Sequence, residues 1–116
     1  MSIIFYDKKT CGTCKKAQSY LNENGVRFEI IDIIKEVPSR ELLERFIPED
    51  DVKSILNPRS TIYREKMLGK NPPNKVEAID LMQQDSNLIK RPFIVGGDQA
   101  SFGFKTDEFK VKWLKK

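Results

Sequence analysis

The stretch Ile3-Ile4-Phe5-Tyr6-Asp7-Lys8-Lys9-Thr10-Cys11-Gly12-Thr13-Cys14-Lys15-Lys16-Ala17 decides how the rest of the chain is read. Its opening, Ser2 to Tyr6, is a short apolar run with β-branched and aromatic residues, which predicts a buried strand. From Cys11 to Asn24 the period changes. Cys14, Ala17 and Leu21 recur at spacings of three and four, and Gly25 stands where a left-handed cap ends a helix. Val26 to Ile33 is again β-branched and predicts a second strand. A strand, a helix of about four turns and another strand form a βαβ unit, so the two strands should lie parallel and adjacent.

At the first turn of that helix, residues three apart share a face, so the Cys11 and Cys14 sulfurs can meet. Cys11 falls at the N-terminal edge, where free backbone N–H groups and the helix dipole stabilise an anion. Lys8, Lys9, Lys15 and Lys16 flank it and add positive potential. These influences favour the thiolate, so Cys11 is the candidate nucleophile. Cys14, one turn into the helix, is expected to be more buried and to resolve a mixed disulfide.

Other readings of this spacing stand beside that one. A Cys-x-x-Cys pair is half of a zinc site, but the 116 residues hold two cysteines and no histidine, so only a second chain could complete it. A permanent disulfide would close a very small loop, in a protein that gives no sign of an oxidising compartment. Two core cysteines spaced by chance is the strongest competitor, weakened by the strand-to-helix context. Thiol redox chemistry is the favoured reading. The missing histidine also excludes a Ser-His-Asp triad, a histidine base and a His-ligated metal within the chain.

Composition sets the wider limits. The chain is 39% hydrophobic and 33% charged, which fits a globular protein of one domain. Net charge is +4, from 21 basic against 17 acidic residues, an excess that reads as a solvated surface rather than a nucleic-acid footprint. Lys110, Lys112, Lys115 and Lys116 fit the polar side of a terminal helix. No apolar run approaches the ~20 residues that span a bilayer. The N-terminus lacks the basic start and apolar centre of a secretory signal, so the expected location is cytoplasmic.

The middle of the chain reads as helix. Pro38 and Ser39 open a segment with Leu42, Leu43 and Phe46 as its inner stripe. Pro48 opens another, with Glu49, Asp50 and Asp51 in its first turn and Val52, Ile55 and Leu56 inward. Arg59 to Lys66 is a further short helix. Asn71 to Asn74 is loop, and Asn74 with Glu77 makes a capping-box start to a helix whose Val76, Ile79 and Met82 face inward. Phe93 to Val95 is a third strand, and Gly96-Gly97-Asp98 turns into a fourth at Ala100 to Gly103. Thr106 is the expected N-cap of a last helix, with Phe109, Trp113 and Leu114 on its buried face. The order is βαβ, helices, ββα. Lys90-Arg91-Pro92 precedes the third strand, where a proline is permitted.

Phe5-Tyr6 through Cys11-Gly12-Thr13-Cys14-Lys15-Lys16-Ala17, Asn57-Pro58-Arg59-Ser60, Leu88 to Val95 and Gly103-Phe104-Lys105 together resemble the arsenate reductase family and its Spx-type relatives. The resemblance covers essentially the whole chain. It implies one thioredoxin-like α/β domain over 1–116 with a four-stranded mixed sheet. Residues 1–35 and 88–116 would form the α/β part, and about 36–87 a helical insertion. It also implies a cis Pro92 beside the cysteines, with Gly12 and Thr13 shaping the site. In the glutathione-dependent reductases the first cysteine attacks arsenate while arginines hold the oxyanion; Cys11 matches that nucleophile, Arg91 one arginine, and Arg59 is a nearby candidate for another. Two positions depart from the enzymes: Asp7 stands where they carry a histidine, and Phe104 where they carry an arginine.

The resemblance therefore implies a glutathione-linked thiol–disulfide oxidoreductase acting on arsenate or mixed disulfides. No metal or bound cofactor is expected, glutathione is the co-substrate, and glutaredoxin or thioredoxin is a partner. The other pole is an Spx-type regulator, switched by a Cys11–Cys14 disulfide and binding the RNA polymerase α subunit. Asp51 aligns near a glycine important to that contact. Small arsenate-reductase-related proteins that act on thiols form a third group, which Gly103-Phe104-Lys105 resembles closely.

Overall fold

The computed structural model describes residues 2–114, and Lys115 and Lys116 of the lysine-rich terminus lie outside that range. The described chain forms two compact units, one from residues up to Ile33 together with those from Arg91 on, and one over Ile34–Lys90.

The first unit is built on a four-stranded sheet. β1 (Ile3–Asp7) leads into α1 (Gly12–Glu23) and then β2 (Glu29–Asp32). β3 (Phe93–Gly96) and β4 (Gln99–Phe102) follow the second unit, and α5 (Thr106–Phe109) ends the set of α-helices. The strand order is β2-β1-β3-β4. β1 and β2 are parallel, with Phe5 opposite Ile30, and both remaining pairings are antiparallel. The sheet is thus mixed, with one parallel and two antiparallel pairings.

Local chemistry explains the joints. α1 ends in a Schellman motif: the Gly25 N–H donates to the Asn22 carbonyl and the Val26 N–H to that of Leu21. Gly25 has φ +73°, which a residue with a Cβ adopts only under strain. Gly97, at φ +57°, starts the two-residue β3–β4 turn, as a type II′ hairpin requires. β1 is covered on both faces at its centre, where Phe5 and Tyr6 are both buried, and Phe5 enters a core with Cys14, Ala17, Leu21, Ile94, Phe109 and Trp113.

The terminal helix differs from expectation at both ends. Its N-cap is Lys105, which makes no side-chain capping bond, and Thr106 is already helical. After Phe109 the backbone widens into a π-helical turn over Lys110–Leu114. That turn carries Trp113 inward, where its indole N–H donates to Ser101 Oγ at 3.0 Å. Lys112 bonds Glu108 and the Ala100 carbonyl, tying the turn to β4.

The second unit contains α2 (Arg40–Phe46), α3 (Thr61–Glu65) and α4 (Lys75–Gln84). Each begins at a residue whose side chain accepts a backbone N–H: Ser39, Ser60 and Asn74. Asn74 and Glu77 complete the capping box in both directions. Arg40 pairs with Asp80, linking α2 to α4. Leu43 is fully buried while Leu42 and Phe46 are half-buried.

Two expectations fail in this unit. Pro48 does not open a helix; only one 3₁₀ turn forms, at Lys53–Ile55. The reason lies just downstream: Leu56 is extended to bridge Ile89, and Asn57 N–H and Ile55 C=O bond Leu88 and Lys90. The Ile55 and Leu56 N–H groups accordingly bond the Val52 and Lys53 carbonyls in one tight turn just before the chain becomes extended. Val76 is 63% exposed, because the buried stripe of α4 is Ala78, Ile79 and Met82. At 3.6 residues per turn Val76 lies about 110° around the helix from that stripe's centre.

Candidate functional site

The C-terminal end of β1 feeds a tight turn in which the Cys11 N–H donates to the Lys8 carbonyl at 2.9 Å. This turn leaves Cys11 as the N-cap of α1, in extended conformation at φ −90° and ψ 113°. Its sulfur takes the place of the usual capping oxygen: the Cys14 N–H donates to Cys11 Sγ at 3.3 Å. Both cysteines are free thiols, Cys11 partly exposed and Cys14 fully buried.

The two thiols are driven apart in acidity. Burial opposes ionisation of Cys11, but hydrogen bonds from the Cys14 thiol and the Cys14 backbone outweigh it, joined by a hydrogen bond and positive charge from Arg91. The net effect lowers the Cys11 pKa below the ordinary thiol value of 9.0. For Cys14, burial dominates and raises the pKa strongly, and its bond to Cys11 and the charges of Cys11 and Asp7 push the same way. The Lys8 backbone N–H is the one opposing influence among these. The arrangement therefore makes the partly exposed Cys11 the more acidic thiol, with the buried Cys14 held to its proton directly behind it.

Arg91 is the cation acting on Cys11, and Lys9, Lys15 and Lys16 are exposed. The Arg91–Pro92 peptide is cis, Pro92 is buried, and its carbonyl accepts the Gly103 N–H at 3.0 Å. Gly12 and Thr13 are exposed, and a Cβ on Gly12 would meet open space, so Cys11 can be approached from that side. Arg59 belongs to the other unit, exposed at the turn before α3, with its backbone N–H donating to Asn57 Oδ1. Asp7 was legible only as a departure from the reductase pattern. Its position on the Phe5 face of β1 is what lets its charge reach Cys14.

Among the described residues, no group of three or more His, Cys, Asp or Glu side chains could hold a metal ion. No helix among them is long and apolar enough to cross a membrane.

Comparison with known proteins adds the lineage. A curated relative, the uncharacterized protein YusI of Bacillus subtilis, is 35% identical, covering 97% of this chain and 99% of its own. The global transcriptional regulator Spx of Streptococcus mutans is 26% identical, over 94% of this chain and 81% of its own. Among solved structures, a putative ArsC family related protein from Bacteroides fragilis superposes with a TM-score of 0.88 at 32% identity, covering 99% of this chain and 100% of its own. A possible arsenate reductase from Streptococcus mutans gives 0.77 at 27%, with 89% and 91% covered. The ArsC family model matches residues 6–111. The chain belongs to the ArsC family and is related to arsenate reductases and to Spx.

Proposed function

We propose that this protein is a cytoplasmic, glutathione-linked thiol–disulfide oxidoreductase of the ArsC family. The observation that carries the reading is the split between its two cysteines: a sulfur at a helix N-cap whose pKa is lowered, and a buried thiol one turn behind whose pKa is raised. In the forward step the Cys11 thiolate attacks a substrate disulfide. A Cys11–S bond forms, the substrate S–S bond breaks, and one thiolate leaves. Cys14 then loses its proton to solvent or to the departing thiolate and attacks Cys11 Sγ. The Cys11–Cys14 disulfide forms and the second substrate thiol departs, so the substrate gains two electrons and the pair loses two. Glutathione or a glutaredoxin- or thioredoxin-type partner returns the pair to its thiols. Arg91 stabilises the Cys11 thiolate and, when an oxyanion is the substrate, supplies a donor to it.

Organic disulfides fit this site better than arsenate. Phe104, where the reductases carry an arginine, is packed against Tyr20 and Phe109 with ring centroids 5.5 and 5.0 Å apart and supplies no cation. Each missing charge-assisted bond removes about 1.5–3 kcal/mol of oxyanion affinity. The test is turnover of a glutathione mixed disulfide and of arsenate, with glutathione and glutaredoxin as donors. Turnover of the disulfide that disappears in Cys11→Ser supports the reading, and wild type no better than Cys11→Ser on both substrates removes it.

A second reading has a specific support, the similarity to the regulator Spx along nearly the whole chain. In it the Cys11–Cys14 disulfide is a switch and the RNA polymerase α subunit the partner. The exposed carboxylate of Asp51, near the position of an important glycine in those regulators, opposes that contact. Retention of the α subunit on immobilised protein, in either redox state, would restore this alternative.

A further inference from the structure

Cys14 must give up a proton before it can resolve a mixed disulfide, and the fold leaves that proton few ways out. The Cys14 side chain is fully buried, so water does not reach the thiol directly. The chain contains no histidine. The lysines of this turn carry ammonium groups at neutral pH and accept no proton. Asp7 stands where a carboxylate can act. It closes β1 two residues after Phe5, so both side chains leave the same face of the strand. Phe5 shares its core with Cys14, which places that face against α1. The Lys8 N–H, next in the chain after Asp7, donates to the Cys14 sulfur. The Asp7 carbonyl accepts the Ile33 N–H at 2.9 Å, so the sheet rather than a loop holds its backbone. Asp7 itself is half-buried and, unlike Cys14, remains in touch with solvent.

We propose that the Asp7 carboxylate is the proton acceptor of the resolution step, linking the buried Cys14 thiol to solvent. As the Cys14 sulfur attacks Cys11 Sγ, its S–H bond breaks and the proton passes to an Asp7 oxygen, directly or through one water. The Cys11–Cys14 S–S bond forms and the bond from Cys11 to the substrate sulfur breaks. That sulfur leaves as a thiolate with the electron pair, and Asp7 then returns the proton to water. Across attack and resolution the two cysteines lose two electrons and the substrate gains them. Charge is divided over the pair in the same sense: Arg91 acts on Cys11, while the Asp7 charge is felt at Cys14. Asp32, opposite Asp7 in the parallel register, and Lys8 beside it in the chain also carry charge near this carboxylate. The inference rests on the redox reading of the cysteine pair and names a residue for its second step.

The experiment mixes reduced protein, in slight excess, with dithiobis(nitrobenzoate) and follows the coloured thiolate set free. The first release reports attack by Cys11, and the second reports resolution by Cys14. The departing nitrobenzoate thiolate is a weak base, so it does not stand in for Asp7 as proton acceptor. The quantity read is the second rate constant relative to the first, which removes changes in Cys11 reactivity. In Asp7→Asn, a variant of the same shape, this ratio should fall roughly a hundredfold at pH 7, the lower end of what a positioned base contributes. The pH profile should change with it. From about pH 7 to 9 the second rate should be nearly flat in wild type, but rise about tenfold per pH unit in Asp7→Asn, where hydroxide must take the proton. Asp7→Glu keeps the carboxylate and should keep the flat profile. Electrostatics alone has the opposite sign, since removing a negative charge makes Cys14 easier to ionise. A ratio in Asp7→Asn equal to or above wild type therefore overturns the inference and leaves the redox reading standing. So does a wild-type second rate that itself rises about tenfold per pH unit, whatever the variants do. A first release in wild type no faster than in Cys11→Ser overturns both.

Discussion

Cys11 and Cys14 stand three residues apart and share one hydrogen bond between backbone and sulfur, yet their environments act on them in opposite directions. The pair accordingly has opposite linkage to pH. Cys11, depressed in the folded state, contributes stability that is present above the unfolded thiol value of 9.0 and lost as pH falls through the folded value. Cys14, raised in the folded state, contributes stability below 9.0 that is lost as pH rises above it. Chemical denaturation from pH 8 to 10.5 should therefore show wild type losing stability above pH 9 more steeply than Cys14→Ala; parallel curves would mean that the Cys14 thiol is not held protonated. Arg91 tests the other half of the pair. Replacing it with Met keeps much of its bulk and removes the charge acting on Cys11. The rate of iodoacetamide alkylation at pH 7 should fall roughly threefold or more, the effect expected of losing a nearby cation.

At the scale of elements, helix ends carry most of the local specification. α1 and α3 both finish in Schellman motifs, but the left-handed position is Gly25 in one and Met67, at φ +52°, in the other. Met67 is 52% exposed, so its side chain has little packing to lose. Met67→Gly should raise stability by about 1 kcal/mol, because a residue with a Cβ costs roughly 1–2 kcal/mol in that region and glycine gives part of this back as chain entropy. A lower denaturation midpoint for the variant would contradict it. Asn74→Ala removes the acceptor of the α4 capping box and should cost about 1 kcal/mol by the same measurement. These ends were readable where a side chain or glycine marks them, as at Asn74, Glu77 and Gly25. The acidic run after Pro48 carried the same kind of mark and misled, since the extended bridge between Leu56 and Ile89 is a pairing distant in sequence. Thr106 misled by one position, because the helix begins at a lysine that offers no acceptor.

Over the whole molecule, the βαβ and ββα segments were legible because their strands are short apolar runs bounded by turn residues and because α1 carries its own period. The cysteine pair was legible for the same local reason. Arg91 needed the family resemblance to be placed beside Cys11, and the contact between Tyr20 and Phe104 was not legible at all, since it forms only through the fold. The core of the first unit offers a direct test of its packing. A Cβ on Gly96 would lie 2.9 Å from Trp113 Cζ3 and 3.2 Å from Ile3, so Gly96→Ala must displace the indole. The expected cost is about 1–3 kcal/mol of stability, read from the fluorescence of the chain's single tryptophan during urea unfolding. An unchanged midpoint would contradict that close approach. The account as a whole depends on Cys11 being an activated thiolate. Its most direct test is the pH dependence of Cys11 alkylation in the wild-type protein, followed by peptide mass spectrometry: the account predicts a midpoint below the ordinary 9.0, and a midpoint at or above 9.0 would contradict it.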